Sequence, residues 1–531
     1  MFNNVNLLSR NYYEITLIIL SLFILILFLG THPIIILDES KNAEAAREFI
    51  VTGQYMIPYF NGEIRVDKPP LHYYFMNLGY NIFGINSFGA RFFSAIFGLF
   101  TIWLSFRFAR KYFNWNIAVL TSLIFISSFL FIQEFKLAVP DPYLIFFISA
   151  SLFSFYSYHL NRKRISLLLF YIFIGLGILT KGPIALFLIG VIVGIFLIIT
   201  RNVKKIFQYY PILGLSVIFL ISSPWYINIH YLTDGIWTEG FFLKHNVSRF
   251  TNTMEGHGGS IFKTLGFILL GLFPFSIFIP QSFIHIFTQV RKQENLFLLI
   301  ICSVFTLFFG ISATKLPNYT MPSYPFFAMG IAVFLNYSIK KNKEKALIPA
   351  QLIIVIIGTL IPLIVYIYSI NNEDVQYLLD HIVLLSFLFF GSIFSLFFIR
   401  KFKYWFIIIF VTWSTFTFTL NGFVFPSISK SSPVIEFKKV FNDKHEVIVY
   451  DRMDPSFPFN FEKIYTIVHS IDDIESELLK NPKLLILTNS KKADSLESLQ
   501  NIELIFSKKA IFENNETKVF KLKNKKTFIN N

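Results

Sequence analysis

Long apolar runs alternate with short polar connections along most of this chain. About thirteen of these runs reach or approach the roughly 20 residues that a helix needs to cross a hydrocarbon core of about 30 Å. They fall at 13–31, 88–106, 115–133, 140–159, 165–180, 183–200, 211–229, 261–281, 294–313, 318–338, 347–368, 380–399 and 404–422. Only Lys181 and Gly182 separate the fifth from the sixth, which predicts a tight helical hairpin. Two long polar stretches break the alternation, at 31–87 and 231–260. From about Phe425 the period changes. VIVYD, KIYTIVH, KLLILT, IELIF and KVFKL read as short buried strands, with IDDIESELL and ADSLESL as helices between some of them. The pattern predicts an α-helical polytopic membrane domain over 1–424 and a small soluble α/β domain over 425–531.

Composition places the chain firmly in the membrane class. It is 54% hydrophobic and 19% aromatic with a mean hydropathy of +0.58, beyond the apolar share of a soluble domain. The formal charge of +15 would admit a nucleic-acid partner, but its distribution argues against one. With the N-terminus cytoplasmic, the inner loops hold Arg10, then Arg107, Arg110 and Lys111, then Arg162 to Arg164, Arg201, Lys204 and Lys205, Arg291 and Lys292, Lys340 to Lys345, and Arg400 to Lys403. That is the positive-inside pattern of a bacterial plasma membrane protein, and it accounts for most of the charge. An odd number of crossings puts the tail on the outer face. Cys302 is the single cysteine, so neither an intrachain disulfide nor a cysteine metal site is available.

Acids gather on the opposite, outer face. The stretch Asp38 to Pro70 alone holds Asp38, Glu39, Glu44, Glu48, Glu63 and Asp67, and short outer loops add Glu134, Lys136, Asp141, Lys181 and Lys315. Charges at membrane depth are costly unless they pair or line a wet cleft, so their concentration on one face points to a cleft there. Each residue also has a plainer reading. Asp38 or Asp141 would serve as a helix N-cap, Lys68 and Arg249 as snorkelling cations, and Lys181 as a hairpin anchor. His257, in EGHGGS, has flexible neighbours and no apolar face to pack on, which suits ligand or proton-transfer work. Arg249, in HNVSRF, suits a phosphate contact because guanidinium pairs bidentately with phosphate oxygens. The tail shows no Gly-rich phosphate loop and reads as a folding or docking module.

These residues lie within motifs that carry a resemblance. DESKNAEAAREFIVTGQYMIPYFNGEIRVDKPPLHYYF is followed in order by GARFFSAIFGL, LAVPDPYLIFF, LTKGPIAL, PWY, FFLKHNVSRF, HGG and TKLPNYTMPSYP. Over about 13–340 the chain resembles the bacterial polyprenyl-phosphate-dependent glycosyltransferases of the GT-C fold. Its nearest branch is the 4-amino-4-deoxy-L-arabinose transferases that modify lipid A, related to the protein O-mannosyltransferases. The resemblance implies a polyprenyl-phosphate sugar donor and a lipid or protein acceptor at the periplasmic face. It implies Asp38 and Asp141 as catalytic acids, and Lys68, Arg249 and Lys181 on the donor phosphate. A divalent cation, Zn, Mn or Mg, would lie between Asp67 and His257, with Glu39, Lys41 and Lys315 in the substrate cleft. Two departures bear on sugar and acceptor: the family's Asp-Glu-Thr-Arg-Tyr is Asp38-Glu39-Ser40-Lys41-Asn42 here, and its Glu-Lys-Pro is Asp67-Lys68-Pro69. A transporter or lipid flippase is the alternative outside enzymes. It predicts internal repeats and interrupted helices at mid-membrane, and no repeat stands out.

Overall fold

A computed structural model describes residues 7–253, 258–341, 347–441, 445–510 and 516–523. Helix α1 (Leu7–Ile26) leads into α2 (Leu37–Thr52), which ends at Gly53, and then into a two-stranded hairpin, β1 (Tyr59–Phe60) against β2 (Glu63–Ile64). Helices α3 (Leu71–Phe83), α4 (Ser87–Tyr112), α5 (Trp115–Ser127), α6 (Phe129–Glu134), α7 (Asp141–Asn161), α8 (Arg164–Lys181), α9 (Ile184–Ile199) and α10 (Pro211–Leu232) follow. Asparagine side chains cap two of them: Asn86 accepts from the Gly89 amide and Asn114 from that of Ile117. Among the described residues eight helices are able to cross a membrane by length and apolarity, nine if one bent pair is a single span, and α9, α5 and residues 11–26 of α1 are shorter apolar helices.

Helix α7 is the axis of the bundle. Its apolar window is 72% buried, against 22% for Ile348–Ile370, and it packs on α4, α8 and the 3₁₀ turn Pro317–Ser323. The later helices turn broad apolar faces outward, with Leu352, Ile356, Val383 and Phe390 exposed, as contact with lipid requires. Three expected runs are broken. Residues 261–281 form Ile261–Gly271 and Phe275–Phe287 with a bend of 120° between them, at Pro274, which has no amide hydrogen to continue a helix. Residues 115–133 divide at Ser128 into α5 and α6, and 318–338 opens with the 3₁₀ turn before its α-helix, Tyr324–Lys340.

The tail folds as expected from its strand pattern. β3 (Val447–Tyr450), β4 (Ile467–Val468), β5 (Leu485–Asn489), β6 (Ile502–Lys509) and β7 (Glu516–Leu522) form one sheet in the order β4-β3-β5-β7-β6. The β3 pairings are parallel, and those of β7 are antiparallel. This domain sits directly on the loop between α1 and α3. Asn61 exchanges two hydrogen bonds with the Tyr465 backbone, at 2.9 and 2.7 Å, and Asn460 donates to the Ile34 carbonyl at 2.7 Å. Asn61 has φ +54°, a left-handed turn position that asparagine tolerates well.

Candidate active site

Three of the six acids between Asp38 and Asp67, Glu39, Glu44 and Glu48, hold the fold together. Glu39 is fully buried and takes a bidentate grip from Arg91, at 2.7 and 2.9 Å, while accepting the Ala138 amide at 2.9 Å. Arg91 also donates to the carbonyls of Leu29 and His32, so one buried pair ties the start of α2 to α1, to α4 and to the loop before α7. Glu44 pairs with Arg47 through two 2.7 Å bonds. Glu48 accepts the amides of Asn61 and Gly62, which fixes the hairpin that the tail covers. Burial, with Glu44 alongside, pushes the Glu48 carboxyl up to about 7 despite those two amides. Asp38 is the exception on this helix: it is exposed, one residue before the locked Glu39.

A cavity of about 540 Å³ lies beside this loop. Its polar end carries Asp67, Lys68, Lys181 and His245, and its apolar walls include Leu144, Phe187, Phe305 and Phe308. Asp67 is 28% exposed, with its Oδ1 3.1 Å from Nε2 of His245 and its Oδ2 3.4 Å from Arg65. Burial would raise its pKa, but Arg65, His245, Lys68 and Lys41 outweigh burial and hold the carboxyl below its ordinary range. Arg65 is steadied by Asn42 at 3.0 Å, and its carbonyl accepts the Trp237 indole at 2.9 Å.

The segment after α10 delivers His245 by close packing. Trp225, Trp237, Phe241, Ile57 and Ile229 form one cluster between α10 and the first loop. Phe241 and His245 share the π-helical turn Gly240–Val247. Two glycines permit the approach. A Cβ on Gly240 would meet Val66 at 2.7 Å, and one on Gly182, at φ +85°, would meet the Phe241 ring at 2.6 Å. Gly182 also ends α8 and leaves Lys181 pointing along the cavity edge. There Lys181 Nζ lies 2.5 Å from Asp141 and 5.1 Å from the Tyr319 ring centroid.

Several expected site residues take other places. Asp141 is not an N-cap: its oxygens receive Lys181 and, at 3.0 Å, the Asn318 amide, so it positions Lys181. Glu39 is corrected from cleft residue to structural anchor, because both its oxygens are spent on Arg91 and Ala138. Lys315 is corrected likewise. It is 4% exposed and donates to the carbonyls of Gly310 and Ser312 at 3.0 and 2.6 Å, closing the end of the helix Gln293–Ile311. Lys41 and Asp38 do not line the cavity, although the charge of Lys41 reaches Asp67. Arg249 lies in the short helix Ser248–Thr251, whose Thr251 lines the cavity, and its side chain is outside the description. His257 lies outside the described residues; among the described residues His245 faces Asp67. Asn318 and Tyr319 were also missed as site residues, although TKLPNYTMPSYP contains them.

Glu134, at the end of α6, is 7% exposed. Burial and Asp141 push its carboxyl well above the ordinary range, with Asp38 and Glu39 adding to the effect and Lys181 opposing it.

The profile of the dolichyl-phosphate-mannose-protein mannosyltransferase family matches residues 15–238. An uncharacterized protein of Aquifex aeolicus is 34% identical over 327 residues, which is 60% of this chain and 63% of the relative. The undecaprenyl phosphate-alpha-4-amino-4-deoxy-L-arabinose arabinosyl transferase of Aeromonas hydrophila is 31% identical over 335 residues, 61% of this chain and 60% of the relative. The matches thus span about three fifths of the curated relatives' length. Among solved structures, ArnT from Cupriavidus metallidurans bound to undecaprenyl phosphate superposes with a TM-score of 0.78 at 17% identity, covering 96% of this chain and 98% of that one. The chain is a polytopic α-helical membrane protein that shares the fold of ArnT over nearly its whole length and is similar in sequence, over much of its N-terminal part, to the mannosyltransferase profile and to the arabinosyl transferases.

Proposed function

We propose that this protein is a membrane glycosyltransferase that moves a sugar from an undecaprenyl-phosphate type of donor to a lipid A-like or other envelope acceptor. It works at the periplasmic face of the inner membrane, where its tail domain also lies. The observation that carries this reading is one cavity with two chemistries: Lys68 and Lys181 at one end, and a long aromatic and aliphatic wall behind them. A phosphate on a polyprenyl chain is the ligand with that shape and charge. The named activities of the relatives and the undecaprenyl phosphate bound to the ArnT neighbour point the same way.

In the transfer, the bond between the anomeric carbon and the phosphate oxygen breaks, a bond to the acceptor oxygen forms, and a phosphate monoester leaves. Negative charge grows on the leaving phosphate, so fixed cations in a partly dry cavity lower the barrier. Lys68 and Lys181 supply them, and Asp141 and Asn318 hold Lys181 in place; Arg249, from its motif, is a further candidate for the phosphate. Asp38, exposed at the start of α2, takes the proton of a hydroxyl acceptor.

Asp67 and His245 fit a divalent cation. Two cis ligands at roughly 2.0–2.1 Å in tetrahedral geometry lie about 3.3 Å apart, close to the 3.1 Å between Oδ1 and Nε2. Among the described residues no third His, Cys, Asp or Glu joins them. A bound cation would supply further positive charge to the leaving phosphate.

Mass spectrometry of lipid A and envelope glycoconjugates from a deletion strain tests the proposal. Loss of one sugar-bearing species that returns with wild-type protein and not with Lys68→Ala is expected. An unchanged set of species contradicts it. The match to the protein mannosyltransferase profile supports a second reading, a protein hydroxyl as acceptor; loss of glycopeptides with intact lipid A would establish that one.

A further inference from the structure

A second concave site lies at the far end of α4 from Arg91 and the cavity. Helix α4 is 26 residues, about 39 Å at 1.5 Å per residue, so this site sits near the opposite membrane surface. It is a pocket of about 520 Å³ between α4, α7 and the start of α8. Arg107, Arg110 and Lys111 stand at its mouth, and Ser154, Ser157 and Ser166 bring hydroxyls to its side. Phe108 and Phe153, stacked with centroids 4.2 Å apart, help to line it. Among the described residues Glu14 is the acid that contacts these cations, Arg107 at 3.5 Å and Arg110 at 2.6 Å, so three positive charges share one described carboxylate there.

The face continues into the membrane. Phe100, Trp103, Leu104, Arg107 and Lys111 recur at helical spacing on α4, with Phe100 and Trp103 exposed. Arg107 lies over the Trp103 ring at 5.8 Å, so cation and apolar track are joined at one point. An ordinary basic loop would place its cations on a convex surface, fully in water. Here they border a recess that combines hydroxyl donors with an aromatic lining and an apolar stripe leading away from the surface.

We infer that this pocket binds an anionic phospholipid of the surrounding bilayer. Its phosphodiester headgroup lies among Arg107, Lys111 and the serine hydroxyls, and an acyl chain runs along Leu104, Trp103 and Phe100. Basic recesses between membrane helices take such headgroups, and each cation near the surface contributes on the order of 1 kcal/mol, roughly fivefold in affinity. The inference is independent of the transfer reaction: none of these residues touches the cavity near Asp67.

The test uses the full chain in a neutral detergent, with native mass spectrometry of bound lipid and thermal unfolding as readouts. Phosphatidylglycerol is expected to bind in preference to phosphatidylcholine and to raise the unfolding midpoint. Arg107→Gln with Lys111→Gln should weaken that preference by roughly 30-fold. Ser154→Leu, which narrows the recess and keeps every charge, should weaken it too. Lys401→Gln with Lys403→Gln, an equal loss of charge in another basic loop, should leave it intact. Equal loss in this last variant, or no preference between the two lipids, would overturn the site. So would an equal stabilisation by inorganic phosphate alone, since the pocket would then hold a free anion rather than a lipid. Sugar transfer by the Ser154→Leu protein is a separate readout, and its result bears on the function proposed above and not on the lipid.

Discussion

Helix α2 and the polar end of the cavity are built from the same kinds of side chain, yet they treat charge in opposite ways. On α2, Glu39, Glu44 and Glu48 are all fully buried, and each is matched to a fixed partner, Arg91, Arg47 or a pair of backbone amides. At the cavity, Asp67 keeps 28% of its side chain exposed and Lys181 15%, and both face open volume. Charges whose every lone pair is spent serve the fold. Those left partly open at a cavity wall are the ones available to a ligand. Exposure also changes between adjacent residues of α2, where Asp38, away from the cavity lining, is exposed beside the buried Glu39.

The sharpest way to break this comparison is to remove a buried partner. Arg91→Ala should cost about 3–5 kcal/mol because it strands Glu39 in the interior. The loss should appear as a much lower thermal midpoint in detergent, with sugar transfer falling only through loss of folded protein. A stable Arg91→Ala protein would mean that the pair does not anchor α2. Asp38→Asn should do the reverse. With a hydroxyl acceptor, turnover should drop by roughly 10²–10⁴ while the thermal midpoint is unchanged. Near-normal turnover would favour an acceptor already ionised, such as a phosphate.

A smaller and more selective effect is expected at the proposed cation site. Asp67→Asn and His245→Ala should each reduce transfer, and the double variant should be little worse than either, because the two act as a unit. Exhaustive chelation should depress wild-type activity and have little further effect on the double variant. Full activity after chelation would remove the cation from the mechanism.

The smallest expected effect is a pH slope from α2. Glu48 keeps its proton to about pH 7 when folded, whereas an unfolded glutamate loses it near its ordinary value. Between those two pH values the unfolded chain binds fewer protons, so this group's contribution to stability falls as pH rises and levels off above pH 7. Glu48→Gln should flatten the fall in unfolding midpoint between pH 5 and 8. An unchanged slope would assign it to other groups.

Much of this was legible in the sequence, for identifiable reasons. Apolar runs report helices because lipid leaves the backbone few alternatives, and all thirteen intervals contain helix. The strands of the tail showed through their β-branched and aromatic runs between turn residues. The bend at Pro274 was missed because hydropathy is blind to direction. The loop's acids drew attention as a group, but sequence spacing does not reveal that the partner of Glu39 is Arg91, on another helix. The nearness of His245 to Asp67 was not legible, because its neighbours in FFLKHNVSRF give no hint of Asp67, which reaches it from the loop 31–87 through the packing of Trp237 and Phe241. Lys68 and Lys181, read from their motifs as cations for a donor phosphate, both line one cavity, although one lies in a loop and the other at the end of a helix.

The central claim is that the cationic end of this cavity holds a lipid-linked phosphate. Its most direct test is the affinity of the purified protein for undecaprenyl phosphate, measured in nanodiscs for wild type, Lys68→Ala, Lys181→Ala and Asp38→Asn. The account predicts that each lysine variant binds at least roughly 30-fold more weakly, while Asp38→Asn binds as wild type does. Wild-type affinity in both lysine variants would contradict it.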